Sequence, residues 1–107
     1  MASIGAMGDL LKQAQEMQSR MAKIQEELAN KTVQGSAGGG MVQVTVNGQF
    51  QMTAVQIEPS VVNAAEKEMF EDLILAGVNE GMRKARELAS SEMSKLTGGL
   101  KIPGLMP

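Results

Sequence analysis

The first part of the chain places apolar residues at alternating spacings of three and four, which is typical of one face of an α-helix. Most positions between them are Gln, Glu, Lys, Arg or Ser. So narrow a stripe suits packing against another helix, as in the seam of a coiled coil. The pattern predicts an amphipathic helix over residues 9–30, with Asp9 as its N-cap. The seam residues are Leu10, Ala14, Met17, Met21, Ile24 and Leu28.

Residues 32–57 change to a period of two and predict a three-stranded antiparallel sheet. A short edge strand comes first, and a central strand follows with Val42, Val44 and Val46 on one face. The dipeptide Asn47-Gly48 then predicts a hairpin with a type I′ turn, which requires positive φ at both central residues.

The return strand ends near residue 57 and also alternates. Met52 and Ala54 are predicted on one face, and Val55 and Ile57 on the other.

A second long helix is predicted over residues 64–97, with Asn63 and Glu66 at the spacing of a capping box. Gly77 and Gly81 lie one turn apart on this helix. Close approach of another backbone would explain them, and simple tolerance of glycine is nearly as good an explanation. Residues 98–107 are predicted to form a loose apolar tail. The fold class is α+β in a single domain, ordered α-β-β-β-α, with two long helices flanking a small antiparallel sheet.

The glycine-rich stretch at residues 35–40 has the GxxxxG half of a phosphate-binding loop. Met41 and Val42 stand where such a loop has Lys followed by Ser or Thr. The glycines also lead into a strand, whereas a phosphate loop leads into a helix. We therefore interpret the stretch as a turn that uses the freedom of glycine at positive φ.

The composition excludes several classes of chemistry. The chain has no Cys and no His, so disulfides, zinc sites and triad catalysis lack their usual residues. We expect no enzyme activity, cofactor, metal or small-molecule substrate. No signal peptide or membrane-spanning segment is recognisable, which favours a cytoplasmic protein without a membrane partner. With ten Met and only two aromatic residues, the core is soft, and we expect a homodimer interface to contribute to stability.

The charges alone favour a solvated surface over a phosphate-binding one. The formal net charge is −2, and the tight basic cluster of Arg83, Lys84 and Arg86 is flanked by Glu80 and Glu87 at helical spacing. On the first helix we expect two further i,i+4 pairs, Glu16–Arg20 and Lys23–Glu27.

Taken together, the segments resemble the YbaB/EbfC family of bacterial nucleoid-associated proteins. The resemblance covers nearly the whole chain in the right order, and it is the combination that is specific. The matching segments are LLKQAQEMQ (10–18) with the helix to residue 28, GSAGGGMV (35–42), VTVNG (44–48), IEP (57–59), EMFEDLI (68–74), VN (78–79) and MSKLTGG (93–99).

This resemblance implies a tweezer-like homodimer that is cytoplasmic, nucleoid-associated and not an enzyme. It also implies binding of DNA with limited sequence preference, at the tips and inner faces of the helical arms. With no Trp or Tyr to stack on single strands, duplex DNA is the expected partner. The candidate DNA-binding residues are Lys12, Arg20, Lys23, Arg83, Lys84, Arg86 and Lys95.

The alternative function is that of a protein-interaction adaptor. In that case the Met-rich helices, or the apolar tail at residues 100–106, would hold a partner protein. The acidic balance and the compensated basic cluster favour this alternative.

Overall fold

The computed structural model describes residues 4–96 and has the element order predicted from the sequence. A helix is followed by three antiparallel strands and a second long helix, so the predicted α-β-β-β-α fold is confirmed. The elements are α1 (Ile4–Asn30), β1 (Thr32–Ala37), β2 (Val42–Asn47), β3 (Met52–Ile57) and α2 (Lys67–Leu96). The end predicted for the second helix at residue 97 and the predicted tail at 98–107 lie outside the described residues.

Helix α1 begins at Ile4, before the predicted start, so Asp9 lies inside the helix and does not cap it. Gly5 and Gly8 do not break the helix here, and nothing lies within 4 Å of a Cβ placed on Gly8. The apolar periodicity extends back to Met7, in agreement with the longer helix.

A short 3₁₀ turn precedes α2 and is capped by Asn63, whose side-chain oxygen accepts a hydrogen bond from the Ala65 amide at 3.0 Å. The reciprocal half of the predicted capping box is absent in the described structure. The backbone N–H of Asn63 donates to the Val61 carbonyl oxygen and not to Glu66. Helix α2 begins only after this turn, at Lys67.

The sheet has the order β1-β2-β3, and both pairings are antiparallel. Val42, Val44 and Val46 of the central strand are fully buried, as the alternation predicted. Strand β3 has a bulge opposite Thr45 and Val46, and the shifted register places Met52 opposite Val46. Met52 therefore lies on the side of Val55 and Ile57, and the prediction that it shares a face with Ala54 is wrong because of the extra residue.

The β2–β3 hairpin is present, but its predicted type I′ turn is wrong. Neither Asn47 nor Gly48 has a positive φ, and Phe50 adopts the left-handed conformation instead, at φ 64°. The Phe50 N–H donates to the Asn47 carbonyl oxygen at 3.1 Å, which closes the turn one residue later. Gly48 is needed for a different reason: a Cβ there would come within 2.5 Å of the Leu28 side chain in α1.

The glycine cluster between β1 and β2 turns the chain, as predicted. Gly38, Gly39 and Gly40 have φ values of 64°, 67° and 97°. These values lie in the region that glycine occupies without steric cost. The three residues form a tight turn that leads β1 into β2, closed by a hydrogen bond from the Met41 N–H to the Gly38 carbonyl oxygen at 3.4 Å.

Helix α2 packs across β1 and β2 through glycine on both sides of the contact. A Cβ on Gly35 of β1 would collide with the backbone of Gly77 and Gly81 in α2. A Cβ on Gly81 would lie 2.8 Å from the side chain of Val44. Close backbone approach therefore explains the two helix glycines, and Ala85 continues the same buried face one turn later.

The molecule is elongated because much of α1 projects from this small core. Residues 5–23 are all exposed, whereas Ile24 and Leu28 are buried. The radius of gyration is 20.3 Å, compared with about 13 Å for a compact domain of this length. We call residues 5–23 the free arm.

Candidate nucleic-acid interface

The predicted basic residues of α1 lie on the free arm. Lys12, Arg20 and Lys23 are exposed and, at 3.6 residues per turn, fall within an arc of about 80°. This basic stripe is roughly 130° away from the apolar seam on the helix circumference. The stripe therefore remains open to solvent when the seam is covered.

None of these three residues forms an ion pair with another described residue. The predicted Glu16–Arg20 and Lys23–Glu27 pairs are wrong, because each needs two long exposed side chains to be held in one conformation, and water competes for them. Glu16 nevertheless lies on the same side of α1 as the basic stripe, so the local positive field is reduced.

In the basic cluster of α2, two residues are compensated and one is not. Arg83 pairs with Glu87 at 2.6 Å, and Lys84 pairs with Glu80 at 3.1 Å, both at i,i+4. These pairs bear out the predicted local compensation. Arg86 is exposed and has no ion-pair partner among the described residues, which leaves its full charge to an external anion.

The four predicted cations of α2 do not share one surface. By helical geometry Lys84 and Lys95 flank one side of the buried face, Arg86 flanks the other, and Arg83 points away from the core. Together they span about 180° of the helix circumference. A single rigid duplex touching one side of α2 cannot reach all four, so the structure brings together only part of the predicted set.

A cluster that sequence analysis missed joins the two helical regions. Lys31 is the single residue between α1 and β1, and its side chain donates to Oε1 of Glu92 in α2 at 2.6 Å. Lys95 donates to the same oxygen at 3.1 Å. Glu92 is only 3% exposed, and its buried Oε2 has no hydrogen-bond partner among the described residues. Nothing in the spacing of Lys31 and Glu92 predicts the pair, because they are sixty-one residues apart.

The charges of the cluster stabilise one another. The hydrogen bond from Lys31, followed by that from Lys95, lowers the pKa of Glu92 below its ordinary value of 4.5. The hydrogen bond to Glu92 in turn raises the pKa of Lys31 above 10.5, although partial burial opposes it. Both shifts favour the charged forms of Glu92 and Lys31 at neutral pH.

We expect the Glu92→Gln variant to melt at least ~5 °C below the wild type near pH 7. Because folding lowers the pKa of Glu92, the stability it contributes is present above the unfolded-state pKa and is lost as the pH falls through the folded-state pKa. The difference in melting temperature should be constant from about pH 6 to 9 and shrink below about pH 4.5.

Thermal unfolding followed by circular dichroism across this pH range tests the expectation. Glu80→Gln is the matched control, since it removes an ion pair within α2 that is partly exposed and therefore weak. An undiminished difference between wild type and Glu92→Gln at pH 3 would contradict the assignment.

The part of the chain that the structure describes contains no helix that could span a membrane and no cluster of acidic residues arranged for a metal ion. The candidate interface consists of basic residues on the two helices α1 and α2.

Comparison with known proteins shows which family the chain belongs to. The sequence profile of the YbaB/EbfC DNA-binding family matches residues 4–100. The chain belongs to the YbaB/EbfC DNA-binding family. The match covers both helices and the whole sheet, and it confirms the resemblance read from the sequence. Membership of a DNA-binding family also agrees with the prediction that the chain is not an enzyme.

Relatives with half of their residues identical carry names that fit this assignment. A nucleoid-associated protein of Desulfotalea psychrophila is 52% identical over 96 residues, which is 90% of this chain and 91% of the relative. A nucleoid-associated protein of Thermoanaerobacter pseudethanolicus is 50% identical over 99 residues, or 92% of this chain and 89% of the relative.

The fold of this YbaB/EbfC chain is also found in a solved structure. An uncharacterized protein of Helicobacter pylori superposes with a TM-score of 0.73, covering 92% of this chain and 100% of the other. The sequence identity is 22%, so this likeness supports the fold alone.

Proposed function

We propose that this YbaB/EbfC chain is a nucleoid-associated protein that binds duplex DNA as a homodimer with limited sequence specificity. The observation that carries the proposal is the exposed, unpaired basic stripe of Lys12, Arg20 and Lys23 on the free arm. On a helix in a chain of a DNA-binding family, such residues suit contacts to phosphates, which hold a duplex without reading its sequence.

Arg86 is the strongest candidate on the second helix, since it is exposed and unpaired in the described structure. Arg83 and Lys84 must leave Glu87 and Glu80 before they contact a phosphate. We therefore expect Arg86 to contribute more to DNA binding than Arg83, Lys84 or Lys95. The formal charge of −2 implies modest affinity that depends strongly on salt.

Exposed apolar surface supports the homodimer. Met17 and Met21 on the α1 seam are 48% and 42% exposed, and Met52 and Val55 on β3 are 48% and 51% exposed. Strand β3 lies beyond the part of the sheet that α2 covers, and its outer edge has no pairing partner in the described chain. Large apolar surfaces of this kind are typical of protein interfaces, and a second copy of the chain offers the same surface in return.

A salt series against duplex DNA tests the proposal. The wild type should shift duplex mobility at ~50 mM salt, and log K should fall linearly with log salt by about 0.9 for each phosphate contact. Arg86→Gln should reduce the slope by about 0.9 for each phosphate that Arg86 neutralises, and Arg83→Gln should reduce it less because Arg83 is already paired. The double variant Arg83→Glu with Arg86→Glu should weaken binding further.

Arg83→Gln is the matched control, since it removes the same charge three residues away on the same helix. A wild-type protein that leaves duplex DNA unshifted at ~50 mM salt, where phosphate contacts are strongest, contradicts DNA binding. Equal effects of the two single substitutions contradict the ranking but not the function.

A protein-interaction adaptor is the second candidate, favoured by one specific observation. Leu11 is 61% exposed but lies about 100° from Leu10 around α1, to one side of the seam that a dimer partner would cover. A stoichiometric protein partner that copurifies after nuclease treatment and at high salt would support this function.

A further inference from the structure

One set of contacts attaches the base of α1 to the hairpin turn between β2 and β3. The Gly48 N–H donates to the Leu28 carbonyl oxygen at 2.8 Å, and the Gln49 side chain donates to the Gln25 carbonyl oxygen at 2.9 Å. The Asn47 side chain adds a longer bond to the Ala29 carbonyl oxygen at 3.4 Å. We call these contacts the turn anchor.

A second attachment runs to α2 through Glu92. The described part of the chain contains four ion pairs, and three of them lie within α2. Of these four ion pairs, Lys31–Glu92 is the one that joins the end of α1 to the other helix, and it adds to the direct packing of α1 against α2. Its carboxylate is almost fully buried, so it is held in place by packing, whereas the Lys31 side chain is 42% exposed and depends on Glu92 for its position.

The free arm amplifies any rotation at this base. Lys12 is about 24 Å from Leu28 at a rise of 1.5 Å per residue. A rotation of about 10° at the base would move Lys12 by about 4 Å, slightly more than the ~3.4 Å axial spacing of phosphates along one DNA strand. The basic stripe therefore stays in register with phosphates only if the base of α1 is held at two separated points.

We propose that Glu92 is a positioning residue: through Lys31 it fixes the direction of the free arm relative to α2, and so the spacing between the basic stripe and Arg86. The turn anchor and the packing of α1 against α2 hold the base of the arm, and the Lys31–Glu92 bond adds a further fixed point between the end of α1 and α2. The consequence for DNA rests on the proposed function, whereas the position of the arm is a property of the protein alone.

The experiment measures the distance between the arm and α2 without DNA. Because the chain has no Cys, Ser19→Cys with Ala76→Cys gives two spin labels at exposed positions on the two helices. Labelled chains are diluted with unlabelled protein so that a dimer carries one labelled copy. Pulsed electron paramagnetic resonance then gives the distance distribution in four variants: Glu92→Gln, Lys31→Met, Lys95→Met and Glu80→Gln.

The distribution should broaden or shift by several ångströms in Glu92→Gln and Lys31→Met and stay unchanged in the other two. Lys95→Met is the sharpest control, because Lys95 contacts the same carboxylate from within α2. Wild-type distributions in folded Glu92→Gln and Lys31→Met overturn the proposal, as does an equal change in Lys95→Met. If neither Glu92→Gln nor Lys31→Met folds, the pair is a requirement of folding and the positioning role is rejected.

DNA affinity gives an independent measurement. Glu92→Gln and Glu80→Gln each remove one negative charge, and electrostatics alone predicts a similar gain in affinity for both. We expect that gain in Glu80→Gln and its absence in Glu92→Gln, because a loose arm neutralises fewer phosphates. A wild type that binds no DNA would reject the proposed function and leave the distance result standing. Equal gains in both variants overturn the link between Glu92 and DNA binding.

Discussion

Gly35→Ala should lose about 3 kcal/mol of unfolding free energy, which is a large part of the stability of a small domain. The added Cβ would collide with the backbone of Gly77 and Gly81, with the Gly81 Cα only 2.6 Å away. A side chain could rotate out of the way, but a helix backbone cannot. Helix α2 must therefore move away from β1 and uncover Val44, which is fully buried in the native core.

Chemical denaturation of Gly35→Ala beside Gly8→Ala tests this expectation. Gly8 also lies in a described element, but nothing is within 4 Å of its added Cβ. Replacing glycine in an open helix should raise stability by up to about 1 kcal/mol. We expect the changes in unfolding free energy to have opposite signs in the two variants. If Gly35→Ala stays within about 1 kcal/mol of the wild type, β1 and α2 can move apart at little cost in free energy, which contradicts the expectation.

Met17→Glu combined with Met21→Glu should convert the proposed homodimer into a folded monomer. Both residues are exposed on the free arm, so their loss costs the single chain little, whereas two charges buried in an apolar interface would be expensive. The mass measured by sedimentation should fall to 11.3 kDa. The slope of log K for DNA against log salt should fall by about half, because one chain offers half the phosphate contacts.

Gln15→Glu with Ser19→Glu is the matched control for this double variant. It adds two charges to the same exposed turns of α1, but on the side away from the seam. The control should keep the dimer mass. A seam variant that remains dimeric at micromolar concentration would place the interface elsewhere, and the exposed Met52 and Val55 on β3 would be the next surface to test.

Short-range patterns predicted most of the fold. The period of two predicted the buried face of Val42, Val44 and Val46, and the run of glycines predicted the turn before β2. These predictions hold because alternation and positive φ are properties of neighbouring residues. The type I′ turn at Asn47-Gly48 failed because the demand on Gly48 comes from Leu28, which is distant in the sequence and adjacent only in the folded chain.

The candidate interface was less predictable than the fold. Spacing predicted the two ion pairs of Arg83 and Lys84, because i,i+4 neighbours on a helix are local. The same spacing predicted ion pairs for Arg20 and Lys23 that do not form, because water competes for these exposed side chains. The Lys31–Glu92 pair escaped prediction altogether, since it requires knowledge of how α2 lies across the sheet. Which cations contact DNA stays a prediction.

The hairpin turn also has a consequence for the chemical durability of the chain. In Asn-Gly sequences the glycine amide nitrogen readily attacks the carbonyl carbon of the asparagine side chain and expels ammonia. Water then opens the resulting succinimide ring and leaves aspartate or isoaspartate. Here the Gly48 N–H is held by the carbonyl oxygens of Leu28 and Lys31 at 2.8 and 3.1 Å, and the Asn47 side chain is engaged by the backbone N–H groups of Gln49 and Gln51. The packing of α1 on the hairpin turn therefore protects Asn47, which itself helps to hold α1, from deamidation. Each time the chain unfolds, Asn47 loses this protection and can deamidate irreversibly.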